Sequence, residues 1–379
     1  MKIFINRTFM RLGVFPVILS LFLFISCYDK TKDESVSVRF ISSVDPLAKM
    51  VSTIEIIPLE TDSIHIIGSQ KDLIVSDDSY IITDATNGNI FRYSLEGKFL
   101  NRIGFEGRGP EEYTHINNVQ LVDSLLIVFS NPSKELVYNL EGDCLSSKEY
   151  RNDFFGEMSY RTKDGLITYY GYDSVHDHRL GLIKDDELTY FMPSKEKVLH
   201  YSPLYPIYSA RKDSLFFIDS YNSDVKLFYN SKVSSYYSFD FGKYSIPGEF
   251  FKFSDAEEAT FFLMKKEFAM ISSFLSDDTD HFMEIIVQKR PCPEAYYGYK
   301  SSNSWHWFGA GRLGEDVFAN SFKALVDGNL YCLLDPLLID SFPDVLLEKV
   351  RDKSALGRIN KEDNYVLAIL IMLPTVGSN

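Results

Sequence analysis

Apolar residues in this chain come in short runs closed by polar turns, and the runs recur. Residues 79–100 read SYIITDATNGNIFRYSLEGKFL and residues 124–145 read SLLIVFSNPSKELVYNLEGDCL. The two align without a gap at an offset of 45, with seven of 22 positions identical: Ser79/Ser124, Ile82/Ile127, Tyr93/Tyr138, Leu95/Leu140, Glu96/Glu141, Gly97/Gly142 and Leu100/Leu145. The pattern returns at 214–230, SLFFIDSYNSDVKLFYN, at an offset of 135, which is three times 45. With a small gap, 164–188 has the same shape. Self-similarity at a fixed period marks a repeat architecture.

Each unit has one grammar. An apolar strand such as 80–83 or 215–218 leads into a polar turn such as 84–89, which contains Asn87-Gly88. A second strand then ends in a Glu-Gly or Asn-Ser turn, and a third follows, as at 98–103. These are consecutive antiparallel strands joined by turns. A period of ~40–50 residues with about four strands is that of a β-propeller blade, and radial stacking buries faces that a lone blade leaves wet. The length leaves room for six blades. The expected fold is therefore all-β, a six-bladed β-propeller over 41–379 with short helical insertions in the later blades.

Later strands are expected at 268–275, 281–289, 322–326, 330–334 and 365–373. The last, YVLAILIML, is shorter than the ~20 apolar residues a membrane helix needs. Ending the ring, it is expected to pair with 51–59, VSTIEIIPL. A helix is expected over 254–266, opened by Ser254-Asp255-Ala256-Glu257, and another over 341–353, with Pro343 near its start.

The first 26 residues read as a signal peptide. Lys2, Arg7 and Arg11 precede an uncharged run at 12–25, too short for a bilayer span but suited to an export signal. Ser26-Cys27 closes that run and a polar stretch, YDKTKDE, begins at once. A small residue before Cys in this place resembles the lipobox of bacterial lipoproteins, although Phe24 stands where Leu is usual. That resemblance implies acylation of Cys27, a lipid-anchored tether over 27–40, and an outer membrane lipoprotein on the periplasmic or cell-surface side.

Composition sharpens this picture. With 45% hydrophobic and 24% charged residues the chain is neither disordered nor fibrous, and 30 Phe and 24 Tyr lean towards strands. Net charge is −14 and becomes −17 (36 − 53) once 1–26 are removed. Without clustered Lys and Arg, no nucleic-acid partner is expected. Such a body is repelled by anionic membranes, so attachment would come from lipid on Cys27. The remaining cysteines, Cys144, Cys292 and Cys332, are odd in number and lack CxxC spacing; they read as small buried hydrophobes.

Several segments together resemble the six-bladed β-propeller lipoproteins of Bacteroidetes, relatives of the NHL-repeat propellers. They are IIPLET at 56–61, IITD at 81–84, FRYSLEGKF at 91–99, IGFEGRGPEEY at 103–113 and KEDN at 361–364. Glu111 stands where that family usually has Gly, and Tyr365 where it has Pro. The resemblance implies the propeller fold and an extracytoplasmic address, with no settled activity.

Three segments carry candidate chemistry. In GRGPEEY (107–113), Arg108 and Glu112 are placed to bind a polar ligand at a rim or channel mouth; equally, the glycines and Pro110 build a turn and Tyr113 packs between blades. Trp305, His306 and Trp307, beside Tyr296, Tyr297 and Tyr299, offer an aromatic platform for a sugar ring, or else an inter-blade cluster. Their Ser- and Gly-flanked surroundings favour exposure. Asp173, His176, Asp177 and His178 offer possible metal ligands but read as a solvated turn, so no metal is expected. The chain has no GxSxG, HExxH, P-loop or GxGxxG motif. The expected function is a non-enzymatic binding module for a glycan or a partner protein, without a cofactor. The alternative is a calcium-dependent hydrolase or lyase of the six-bladed propeller class, with oxygen ligands from different blades; Asp84, Asn131 and Asp219 stand at blade turns but do not match such a ligand pattern.

Overall fold

The computed structural model describes residues 34–131, 133–151, 154, 156, 158–171, 176–193, 207–211, 214–218, 221–253, 255–277, 279–301 and 304–373. The expected signal peptide at 1–26, Cys27, residues 172–175, Asp219 and Ser254 lie outside them.

Six small antiparallel sheets form a six-bladed β-propeller. Blade 1 is Gln70–Val75, Ser79–Asp84, Asn89–Ser94 and Phe99–Arg102. Blade 2 is Ile116–Val122, Leu125–Ser130, Lys134–Asn139 and Cys144–Glu149. Blade 3 is Met158–Thr162, Gly165–Tyr169, His178–Lys184 and Glu187–Pro193. Blade 4 is Ile207–Arg211, Ser214–Ile218, Asp224–Tyr229 and Lys232–Asp240. Blade 5 is Phe268–Ser276, His281–Gln288, Glu294–Ser301 and Ser304–Arg312. In blade 6, Phe322–Val326, Asn329–Leu334 and Val366–Met372 are joined by Val51–Pro58 as the outermost strand. The first strands of blades 1 and 2, 2 and 3, 4 and 5, 5 and 6, and 6 and 1 contact one another.

The expected ring closure is present. Val51–Pro58 runs antiparallel to Val366–Met372, with Ile54 opposite Leu370 and Pro58 opposite Val366. The ordered fold starts earlier than the expected boundary at 41. Glu34–Ser37 lies parallel to the outer strand of blade 4, with Glu34 opposite Tyr237 and Ser37 opposite Asp240. Ser43 O then accepts a hydrogen bond from Gly309 N in the outer strand of blade 5, at 2.9 Å. Residues 34–58 thus strap the outer edges of blades 4 and 5 before completing blade 6. An uncovered edge is a template for unwanted strand pairing, which the strap prevents.

The core is a set of wedges between blades. Leu333 and Leu367 of blade 6 pack on Ile82, Phe91 and Tyr93 of blade 1. Ile81, Ile90 and Ile103 pack on Leu126, Val128, Leu136 and Tyr138 of blade 2. Equivalent clusters fill the junctions of blades 3 with 4, 4 with 5, and 5 with 6. Because each blade has a neighbour on both faces, Ile81 and Ile82 point to different wedges and both are buried. This is why the second strands read as continuous apolar runs.

Repeat positions acquire a cause. Tyr93 and Tyr138, separated by 45, are the buried third-strand aromatics at successive junctions. Gly97 and Gly142 have φ of +83° and +102°. A Cβ on Gly97 would lie 2.4 Å from Pro58 O, and one on Gly142 2.8 Å from Arg102 O, each the backbone of the preceding blade's outer strand. The Glu-Gly turn is therefore where one blade seats against the last.

Two expectations are corrected. Residues 341–353 do not form one helix: a 3-10 turn at Pro336–Ser341 precedes one-turn helices at Asp344–Leu347 and Lys353–Leu356. The helix gives way because Lys349 O and Arg351 N pair with Ile54 on the outer edge of blade 6, at 2.8 and 2.9 Å. The earlier helix does form, as Ala256–Met264, but Asp255 accepts the capping bond from Glu258 N at 2.9 Å.

The role of Gly97 is separable from its backbone angle. Gly314 has φ +80° with nothing within 4 Å of an added Cβ. Gly97→Ala is expected to lose at least about 1 kcal/mol more unfolding free energy than Gly314→Ala, since only the former also overpacks a junction. Urea denaturation of the two variants measures the difference.

Candidate ligand-binding site

Strand direction alternates within each blade, so the connections sort onto two ends of the ring. One end holds turns of two to four residues, at 76–78, 95–98, 123–124, 140–143, 163–164, 185–186, 230–231 and 327–328. The other receives the blade-to-blade links at 59–69, 103–115, 241–267 and 313–321, and the insertion at 335–365. The exposed side chains of Ile64, Phe105, Phe261, Met264 and Leu337 all sit on these long connections.

GRGPEEY forms the link from blade 1 to blade 2. Glu112 is half-buried, and its Oε2 accepts a hydrogen bond from Gly109 N at 2.7 Å. Lys134 Nζ donates to the carbonyls of Gly109 and Glu112 at 2.9 and 2.8 Å, and the Tyr138 hydroxyl to Glu111 O at 2.6 Å. Tyr113 is buried. The Glu112 carboxylate thus braces its own turn, while Arg108 is exposed.

The aromatic stretch 294–312 is a strand hairpin of blade 5, not a long loop. Its residues alternate between junctions. Tyr297, Tyr299 and Phe308 fill the wedge with blade 6, whereas Tyr296 and Trp307 fill the wedge with blade 4, with Trp305 packed on it. Trp305 and Trp307 stack at 5.5 Å, and Gly298 makes room for them; a Cβ there would be 2.6 Å from Trp307 Cζ3. Trp305 also meets Tyr237 and Phe239 edge-on at 5.5 and 5.3 Å. Tyr297 is 1% exposed and donates its hydroxyl to Phe318 O at 2.9 Å, and burial pushes that hydroxyl's pKa well up. Trp307 is 6% exposed; only Trp305 and His306 are half-buried. The expected exposure is thus kept in part at Trp305 and His306, while Tyr296, Tyr297, Tyr299 and Trp307 are buried because blade 5 is covered on both faces.

Polar groups on and between the blades are tied into the ring. The Asn118 and Gln120 amides pair with the backbone of Ser159 and Arg161 in the next blade's first strand, through bonds of 2.7 to 3.2 Å. Arg161 also meets Glu135 and Tyr150. Buried Glu284 accepts from Asn320 N at 2.7 Å and Ser272 Oγ at 2.8 Å, and burial holds its carboxyl above the usual range. Asp84 spends both carboxylate oxygens on its own turn, accepting from Ser69 N, Thr86 N and Asn87 Nδ2 at 2.8 to 3.0 Å. His176 stacks on Tyr170 and His178 on Tyr190. Among the described residues, no three His, Cys, Asp or Glu side chains gather as a metal site. Cys144, Cys292 and Cys332 are free thiols.

A cavity of about 410 Å³ opens between blades 4 and 5 at the long-link end. The strap supplies Phe40 and Ser42, the turn after blade 4 supplies Asp240, Lys243 and Tyr244, and blade 5 supplies Lys289 and Tyr296. Phe40 meets Tyr244 and Tyr296 edge-on at 5.0 and 5.1 Å. Lys289 Nζ donates to Glu294 Oε2 and the Tyr296 hydroxyl, each at 2.7 Å, and that hydroxyl donates to Glu294 Oε2 at 2.5 Å. Burial disfavours the Lys289 ammonium, but these bonds outweigh it and hold the pKa above the ordinary lysine value. Bonds from Lys289 and Tyr296 hold the Glu294 carboxyl low. Sequence reasoning singled out Tyr296 alone of these; Phe40 fell in the expected tether.

With fold and cavity in view, the class is a six-bladed β-propeller with one elaborated end. The chain belongs to the family described as "Domain of unknown function (DUF4934)", whose model matches residues 42–370. It is similar in structure to a putative exported protein from Bacteroides fragilis, with a TM-score of 0.70 and 19% identity over 89% of this chain and 99% of that one. It is also similar to a DUF4221 family member from Bacteroides vulgatus, with a TM-score of 0.56 and 9% identity over 85% of this chain and 98% of that one. These likenesses speak to fold alone. No curated protein matches the chain in sequence.

Truncating a junction ring should cost far more than trimming the surface. Trp307→Ala is expected to lose about 3–5 kcal/mol of stability, and Arg108→Ala under about 0.5 kcal/mol. Urea unfolding followed by circular dichroism reads both.

Proposed function

We propose that the chain is an extracytoplasmic binding module, held at the outer membrane by lipid on Cys27, that takes a glycan or a partner protein at the long-link end. The observation that carries this reading is the gathering of every long described connection on one end of a rigid ring. Loops on a scaffold are where recognition residues accumulate, because they vary without disturbing the core. The reading needs no cofactor, and its other partner is the membrane.

The direction of the strap supports the arrangement. Glu34–Ser37 is parallel to Lys232–Asp240, which runs from the short-turn end to the long-link end. The chain therefore enters the fold from the short-turn end. Residues 28–33 separate Cys27 from Glu34, a reach of about 25 Å at full extension. The long links thus stand at the end of the ring opposite the one where the strap enters. In this reading the anchor is the acyl chain; among the described residues no helix is long and apolar enough to cross a membrane. A solved relative in fold is named as an exported protein, which agrees with the address.

Two experiments test this. Cys27→Ser is expected to move the protein from the membrane to the soluble fraction; membrane retention equal to the parent's would remove the anchor. On glycan and peptide arrays, at least one of Phe105→Asp, Phe261→Asp and Leu337→Asp should weaken capture at least ~10-fold. Leu95→Asp and Tyr229→Asp, at the short-turn end, should leave it unchanged. The opposite pattern, or no captured ligand, would overturn the binding reading.

A further inference from the structure

We infer that the cavity between blades 4 and 5 is a binding site for a neutral sugar residue. This rests on the binding reading and names the site and ligand class. The volume of about 410 Å³ falls within the range of small-ligand pockets, about 300–1,000 Å³. Its walls combine the rings of Phe40, Tyr244 and Tyr296 with short polar groups, Ser37, Ser42 and Asp240. Tyr244 and Tyr296 are buried and carry Lys243 and Lys289 over their rings, so they form the floor, and the half-buried Phe40 ring is the one that meets the apolar C–H face of a pyranose while groups at the edge bond its hydroxyls.

Charge decides against an ionic ligand. Lys289 is neutralised within the wall by Glu294, and Lys243 and Asp240 offset each other at the mouth. An anion would meet Asp240, and a cation Lys243 and Lys289. A hydroxyl both donates and accepts, so it suits a wall that presents both roles. Asp240 spends Oδ1 on Gly242 N at 2.8 Å, while Lys243 lies 4.7 Å over the Tyr244 ring. A peptide entering by strand addition is disfavoured here, because the outer edge of blade 4 is already paired with Glu34–Ser37.

The lip of the cavity offers a clean test. Gly242 lines it with φ +56°, and an added Cβ meets nothing within 4 Å. Asn tolerates that backbone angle, so Gly242→Asn puts a side chain at the opening without displacing packing. The mature chain is screened on an array of neutral hexose, pentose and N-acetylhexosamine oligomers, and the best binder is followed by titration calorimetry. Gly242→Asn and, independently, Phe40→Leu should each weaken it at least ~10-fold, and Gly314→Asn should not. Circular dichroism confirms that each variant is folded. Retention of no neutral sugar overturns the proposal, as does sugar binding that both variants leave intact. Peptide capture abolished by Gly242→Asn would keep the binding reading and remove the sugar. Capture of neither peptide nor glycan by the unaltered mature chain would instead sink the binding reading itself.

Discussion

The ladder between Val51–Pro58 and Val366–Met372 is the constraint on which the rest of this protein depends. Without it the last blade lacks its outer strand, and the wedges at either side of that blade lose part of their walls. Main-chain hydrogen bonds supply the register, while Val51, Ile54, Leu367 and Leu370, all buried, supply the apolar area. The closure joins sequence positions more than 300 apart, so its entropy cost is offset only when the blades between are in place. Stability is thus a property of the whole ring.

A closed ring with its core in the wedges leaves its ends free to differ. One end keeps hairpins, and in blades 1 and 2 Gly97 and Gly142 seat them against the neighbouring blade. The other accepts links of any length, provided each returns the chain to the next first strand. Residues 241–267 show how such a link pays its own way: Phe250, Ala259 and Leu263 bury a small core beneath the helix. The cavity arises where this elaborated link, the strap and blade 5 meet, so three distant segments line it.

Much of the fold was legible because its repeating positions have repeating causes. Tyr93 and Tyr138 mark wedges, and Gly97 and Gly142 mark seats, so a 45-residue register survives in the sequence. The register fades after blade 4, where the 27-residue link at 241–267 and the insertion at 335–365 intervene. The hairpin at 294–312 was misread for a related reason: a strand buried on both faces has no polar alternation to announce it. The cavity was the least legible feature. Phe40, Tyr244 and Lys289 carry no shared motif, and only ring geometry assembles them. Of the expected candidates, Tyr297 and Trp307 are committed to wedges, and Glu112 to its own turn.

The strap also fixes how the molecule bears a load. Tension applied at the amino-terminal side of Glu34 reaches the four-residue ladder with blade 4 first, reinforced by the Lys300–Glu34 ion pair at 2.9 Å. Because the two strands there are parallel, a pull along the strap shears their hydrogen bonds together instead of unzipping them singly. The closing ladder of blade 6 lies further along the chain, behind Ser43 and the helix Asp45–Met50. A tug on this end would therefore spend itself on a sacrificial clasp before it reached the hoop.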